Sequence, residues 1–144
     1  MKVEGILKAK GSRVETILPE VSIMVAVHKL TSQGFGALVV STDGKQVEGI
    51  LSERDIARAL ARHGVRLVDR IVADVMSRTF PTCSPSDSIT AVMAVMTRTR
   101  NRHVPVVEGG TLCGLVSIGD LVKSRLDEME LEASILREAY IVGR

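Results

Sequence analysis

The stretch GILSERDI at residues 49–56 recurs as GLVSIGDL at residues 114–121, 65 positions later. Both copies read glycine, two aliphatic residues, serine, two variable residues, aspartate and a further aliphatic residue. Upstream of this phrase, a register of 66 aligns Thr16 with Thr82 and Pro19 with Pro85. Such self-similarity indicates that the chain is built from two copies of one supersecondary unit.

Each copy predicts the same order of elements. After the proline, apolar residues fall at 23, 26, 27 and 30 in the first copy and at 89, 92, 93 and 96 in the second, which is one face of an amphipathic helix. Ser22 and Ser88 lie where an N-cap is expected. A strand is predicted in each copy, at ALVV (37–40) and at VPVV (104–107). A second strand is predicted after a turn, at VEGIL in the first copy and LCGLV in the second. The repeated phrase then opens a second helix.

The predicted fold is therefore α+β, with two βαββα repeats packed face to face with pseudo-twofold symmetry, because neither copy has enough core to stand alone. We expect a first repeat with its N-terminal segment at 1–62, a connecting segment at 63–75, a second repeat at 76–126 and a C-terminal helix extension at 127–144. An apolar stripe continues along this extension, either folding back on the module or meeting a second subunit, and we favour a homodimer. Its members are Val122, Leu126, Met129, Ala133, Leu136 and Tyr140.

The composition excludes several classes of function. A net charge of +2 is too small to indicate binding to nucleic acid or to a membrane surface, and the apolar runs are too short to cross a bilayer. The N-terminus lacks the long apolar region of a secretory signal. Cys83 and Cys113 have no C-x-x-C spacing, and no histidine has metal-ligand spacing, so we expect reduced thiols, no metal site and a cytoplasmic location.

The repeated S-x-x-D has two interpretations. In the first, Ser52 and Asp55, or Ser117 and Asp120, form only a helix capping box, which contributes about 1 kcal/mol. In the second, the free N–H groups of the helix N-terminus suit a phosphate, the carboxylate accepts bonds from ribose hydroxyls, and the strand before it is an apolar wall for a base. The duplication favours the second interpretation, a nucleotide site.

The chain resembles a tandem pair of CBS domains, the Bateman module, over nearly its whole length. The resemblance rests on GILSERD at 49–55, GLVSIGD at 114–120 and RHVPVV at 102–107, and it is nearest to the small stand-alone bacterial pairs. It implies a regulatory module that binds AMP, ADP or ATP, or in some members NAD(H) or S-adenosylmethionine, in one or both clefts between the repeats, and that signals to an unknown partner protein in trans.

The resemblance also implies site residues. Asp55 and Asp120 correspond to ribose acceptors, and Ser52 and Ser117 to neighbours of ribose or phosphate. Arg54 is the expected phosphate contact, and its counterpart Gly119 has no side chain, so the two clefts cannot be equivalent. The adenine pocket is expected at Thr16 and Thr82, on the first strand of each repeat, and at the backbone around Ala37 and Val104.

The basic stretch TRTRNRH at 97–103 leaves two alternatives open. Arg102 and His103 either belong to a solvated loop or lie at the cleft mouth against phosphate, whereas we interpret Arg98 and Arg100 as solvated. An enzyme is disfavoured because no nucleophile–base pair, metal motif or P-loop is present in the sequence. A second rival is a nucleotide-free structural or interaction module that acts through its dimer surface.

Overall fold

The computed structural model describes residues 1–142, and its elements follow the predicted repeat. The first half contains helix α1 (Val3–Lys10), strand β1 (Thr16–Ile17), helix α2 (Ile23–Gln33), strands β2 (Ala37–Val40) and β3 (Gly49–Ser52), and helix α3 (Glu53–His63). A 3-10 helix (Gly64–Asp69) and helix α4 (Val72–Val75) connect it to the second half. That half contains helix α5 (Ile89–Thr99), strands β4 (His103–Glu108) and β5 (Thr111–Ser117), and helix α6 (Ile118–Val142).

The first repeat forms a three-stranded sheet, in which β2 pairs in parallel with β1 and antiparallel with β3. The second repeat has the antiparallel pair β4–β5. The first strand predicted at Thr82 is wrong as a full strand, because it is reduced to a single parallel bridge between Cys83 and Val106. Pro81 and Pro85 flank this segment and have no N–H to donate to a ladder, which accounts for its shortness.

The predicted helix faces and caps are confirmed. Ile23, Ala26 and Leu30 are buried on α2, and Ile89, Val92 and Met96 are buried on α5. The hydroxyl oxygen of Ser22 accepts a hydrogen bond from the Met24 N–H, and that of Ser88 accepts one from the Ala91 N–H. These caps fix where each amphipathic helix begins.

Each repeat is completed by the segment that precedes the other repeat. Val3, Ile6 and Leu7 of α1 are buried in the core of the second repeat, and Val72 of α4 is buried in the core of the first. The hydrogen bonds match as well: the Val3 N–H donates to the Asp87 carbonyl at 3.0 Å, and the Val72 N–H donates to the Val21 carbonyl at 2.9 Å. The two halves are therefore interlocked.

The repeats meet through a third apolar cluster. Ala37, Val39 and Ile50 of the first sheet are buried there, against Leu112 and Leu115 of the second repeat and other partly buried side chains. This cluster holds the two sheets together and positions the loops on either side of it. Between residues 1 and 142, none of the helices combines the length and apolar character that spanning a membrane requires.

Helix α6 extends beyond the body of the molecule. Leu121 and Ser124 are its buried residues, and the apolar side chains of the later turns are exposed, with Leu126 at 59% and Leu136 at 70% exposure. The stripe predicted along this helix therefore does not fold back on the same chain.

Candidate functional site

A cleft with a volume of about 390 Å³ lies between the repeats. One wall consists of Ile50 on β3 and the first turns of α3, and the other is the segment 99–103, between α5 and β4. Its lining residues are Gly36, Ile50, Ser52, Glu53, Arg54, Asp55, Arg58, Ser77, Thr99, Arg100, Asn101, Arg102 and His103.

Asp55 lies at the N-terminus of α3 and forms the predicted capping box with Ser52. The Ser52 N–H and hydroxyl both donate to Asp55 Oδ2, at 2.8 and 2.9 Å, and the Asp55 N–H donates to Ser52 Oγ at 3.2 Å. Within residues 1–142, Oδ1 of Asp55 accepts no hydrogen bond, and the residue lines the cleft. Capping and ligand binding are thus compatible in the same carboxylate, because each uses a different oxygen.

Four arginines face two carboxylates in this cleft. Arg54 and Arg58 come from α3, whereas Arg100 and Arg102 come from the second repeat, and the Arg54 Nη1 donates to the Arg100 carbonyl at 3.3 Å. Arg100 was expected to be a solvated loop residue; it is exposed, but it also lines the cleft. The excess of guanidinium groups suits an anionic ligand.

Arg100 also has an unusual backbone. Its φ of 58° lies in the left-handed region at the C-cap of α5, where the corresponding residue of α2 is Gly34 with a φ of 68°. A left-handed conformation costs a non-glycine residue about 1–2 kcal/mol, so its occurrence at a cleft is a sign of functional constraint.

His103 forms the edge of the cleft at the start of β4. A Cβ atom at Gly36 would lie 2.7 Å from His103 Nε2, so a larger residue at position 36 would force the imidazole to shift. Burial lowers the pKa of His103 below its ordinary value of 6.5, although the charge of Asp120 opposes the change. Burial therefore favours the neutral form of the imidazole.

The second copy of the phrase differs from the first. Ser117 and Asp120 form the corresponding capping bonds at the start of α6, at 2.9 and 3.1 Å. Here the Lys10 ammonium lies 2.7 Å from Asp120 Oδ2 and 3.0 Å from the Leu115 carbonyl oxygen. Burial raises the pKa of Asp120, but the bonds from Lys10 and Ser117 outweigh it, so the pKa lies below the ordinary 3.8.

The structure thus brings five predicted site residues to one cleft, namely Ser52, Arg54, Asp55, Arg102 and His103. Ser117 and Asp120 belong to the other copy of the phrase, and Thr16, Ala37, Thr82 and Val104 do not line this cleft. Arg58, Ser77, Arg100 and Asn101 were not predicted. The alignment of Arg100 with Gly34 could have identified Arg100, because it indicates a left-handed helix cap.

The CBS domain model matches residues 11–62 and 72–127 of this chain. The chain belongs to the CBS-domain family. It is 32% identical to the mitochondrial CBS domain-containing protein CBSX3 of Arabidopsis thaliana, in an alignment of 149 positions that covers 98% of this chain and 72% of that protein.

Solved CBS-domain structures have the same fold. The CBS-domain protein ATU1752 of Agrobacterium tumefaciens is 40% identical, with a TM-score of 0.83 over 87% of this chain and 99% of that one. The CBS domain pair of protein MJ0100, crystallised with 5′-methylthioadenosine and S-adenosyl-L-methionine, is 26% identical, with a TM-score of 0.74 over 88% of this chain and 98% of that one. The predicted tandem CBS pair is thereby confirmed.

Proposed function

We propose that this CBS pair is a regulatory module that binds an adenosine-containing nucleotide in the cleft between its repeats and signals to a partner protein in trans. The candidate ligands are AMP, ADP, ATP and NAD(H). The observation that carries the proposal is that Asp55, whose Oδ1 accepts no hydrogen bond within residues 1–142, lines the same cleft as arginines from both repeats. The ligands of the MJ0100 domain pair, both of which contain adenosine, support the same class of compound.

Each part of a nucleotide has a matching group in the cleft. We assign the ribose hydroxyl to Oδ1 of Asp55, because Oδ2 already accepts the capping bonds and the residue lines the cleft. Ile50 offers an apolar surface to the base, since few aromatic side chains are present in the chain. Arg54 and Arg102 approach from opposite repeats, so a phosphate between them would link the two repeats. The volume of about 390 Å³ is within the usual range for small-molecule sites.

Calorimetry with AMP and adenosine tests the phosphate contacts. Arg54→Ala and Arg102→Ala should each weaken AMP binding by about tenfold or more, because a charge-assisted hydrogen bond contributes about 1.5–3 kcal/mol. Both variants should leave adenosine binding nearly unchanged. Arg98→Ala is the matched control, since Arg98 lies in the same basic stretch but does not line the cleft. Equal affinity of the unaltered protein for AMP and adenosine would refute the phosphate role.

Asp55→Asn tests the ribose contact separately. The asparagine keeps an oxygen that can accept the capping bonds, so the helix should still form. The loss of the charged acceptor should weaken AMP and adenosine binding alike. A change in AMP affinity alone would contradict the assignment of Asp55 to the ribose.

We further propose that the module acts as a homodimer through the apolar stripe of α6. Leu126 and Leu136 are exposed in the later turns of α6, beyond its buried residues Leu121 and Ser124, and such exposed apolar side chains along one helix are typical of an interface. Analytical ultracentrifugation should find a dimer, and Leu136→Glu should shift it toward monomer. Glu138→Gln, an exposed residue two positions further along the same helix, should leave the dimer intact.

The proposed role is non-catalytic and cytoplasmic. Asp55 and Asp120 belong to separate helix caps rather than to one acid–base pair. Burial, with a contribution from the charge of Asp87, raises the pKa of the Cys83 thiol to about 12, which makes it a poor nucleophile at neutral pH. Cys83 and Cys113 are both free thiols, which fits a reducing compartment.

The exposed stripe of α6 also favours a second candidate, an interaction module that binds no nucleotide. The two candidates differ in one measurement. If AMP, ADP, ATP and NADH at millimolar concentration all leave the melting temperature unchanged while the dimer persists, the interaction module is the correct one.

A further inference from the structure

The aspartates of the two copies of the repeated phrase have different hydrogen-bond partners. Asp55 Oδ2 accepts hydrogen bonds only from the N–H and the hydroxyl of Ser52 within residues 1–142, and the residue lines an open cleft. Asp120 Oδ2 instead receives the Lys10 ammonium at 2.7 Å, and the same Nζ also donates to the Leu115 carbonyl at 3.0 Å. Leu115 corresponds to Ile50, which lines the first cleft. Lys10 therefore lies between the two groups that would hold a ribose and a base.

Lys10 is held there by the packing of α1. Leu7, one turn earlier on the same face, is buried against the second repeat, and a Cβ at Gly114 would lie 2.5 Å from its Cδ2. The helix ends at Lys10, and the Gly11 N–H donates to the Leu7 carbonyl at 2.9 Å. Only the lysine side chain has to move for the pair to open.

The two copies also differ in the number of cationic side chains at corresponding positions. The first cleft has four arginines, at 54, 58, 100 and 102, whereas the corresponding positions for the second copy hold Gly119, Lys123, Gly34 and Gly36, so one cation is kept and three are absent. The second copy thus has fewer cations at the positions that would bind phosphate, and the Lys10 ammonium lies on the carboxylate that would bind ribose.

We infer that Lys10 restricts nucleotide binding to the first cleft, by occupying the Asp120 carboxylate in the second. This inference rests on the proposed function. The lysine acts as an internal competitor, because a nucleoside must displace its ammonium from Asp120 and from the Leu115 carbonyl before it binds. Without that ammonium, the Asp120 carboxylate keeps only its capping bond and loses the neighbouring cation, as is the case for Asp55.

Calorimetry with AMP on the full chain tests the inference through the stoichiometry. The unaltered protein should bind one AMP per chain, and Lys10→Met, which keeps most of the aliphatic stem, should bind two. Lys2→Met is the matched control, because it removes the same charge from the other end of α1 and should still bind one. Adding Asp120→Asn to Lys10→Met should return the stoichiometry to one.

Each outcome separates this inference from the proposed function. One AMP per chain for both the unaltered protein and Lys10→Met overturns the inference and leaves the function intact, as does a value of two for the unaltered protein or for Lys2→Met. No binding by either protein overturns both. Binding by Lys10→Met alone supports the role of Lys10 and overturns the assignment of the first cleft.

Discussion

The glycine that opens each copy of the repeated phrase should not tolerate a methyl group. A Cβ at Gly114 would lie 2.5 Å from Cδ2 of Leu7, and a Cβ at Gly49 would lie 2.5 Å from Sδ of Met76 and 3.0 Å from the Ser77 carbonyl oxygen. The shortest of these distances are about 1 Å below normal van der Waals separation. Since overpacking costs about 1–3 kcal/mol, Gly114→Ala should lower the free energy of unfolding by that amount. For Gly49→Ala, the loss of unfolding free energy should lie at the upper end of this range, because the backbone oxygen of Ser77 cannot rotate away.

Urea denaturation measures both changes, and thermal melting offers a check. For a chain of this size, 1 kcal/mol corresponds to a shift of about 2–4 °C in melting temperature. Gly119→Ala is the matched control, because the nearest atom to its Cβ would be Ser117 Oγ at 3.7 Å. As a glycine within α6, it should gain up to about 1 kcal/mol on substitution by alanine.

A double-mutant cycle tests the cause of the effect at Gly114. Leu7→Ala alone should cost about 2–5 kcal/mol, since Leu7 is buried in the core of the second repeat. Combined with Gly114→Ala, the cost should be less than the sum by about 1 kcal/mol or more, because the new methyl group fills part of the space left by the leucine. Strict additivity would refute the close approach of α1 as the reason for this glycine.

Arg100→Gly should relieve the left-handed backbone at the cap of α5, so the free energy of unfolding should stay unchanged or rise by up to about 1 kcal/mol. AMP affinity should fall about tenfold, because the guanidinium is lost from the cleft. A loss of stability would contradict this explanation. Cys83 should react with a thiol reagent at pH 8 far more slowly than the less buried Cys113, measured in the two single-cysteine variants, because burial raises its pKa to about 12. Asp120 has a lowered pKa in the folded state, so its contribution to stability is present above about pH 4 and is lost as the pH falls; Asp120→Asn should flatten the stability profile between about pH 5 and 2.

The sequence predicted the parts of the fold that depend on local pattern. The apolar periodicity located α2 and α5, and the repeated phrase located the capping boxes at Asp55 and Asp120, because caps and helix faces are set by residues three or four positions apart. The partner of α1 was not predictable in this way. Its buried side chains pack against residues more than 70 positions away. The apolar spacing within a short helix predicts which face is buried but not which surface that face covers.

The site was predictable to a similar extent. Asp55 and Arg54 follow from the phrase itself and do line one cleft. The ion pair of Lys10 with Asp120 joins residues 110 positions apart, and no spacing rule identifies it. The roles of the site residues and the boundaries of the repeats remain predictions.

The position of α1 has a practical consequence for anyone who trims this chain. The family match begins at residue 11, yet Val3, Ile6 and Leu7 lie in the core of the half that spans residues 72–127. A fragment that begins at residue 11 would lack α1 and expose the apolar core of the second repeat. A fragment with only one of the two matched ranges would lack the helix that the other half contributes to its core, α4 for the first repeat or α1 for the second. The limits of shared ancestry and the limits of autonomous folding therefore do not coincide in this protein.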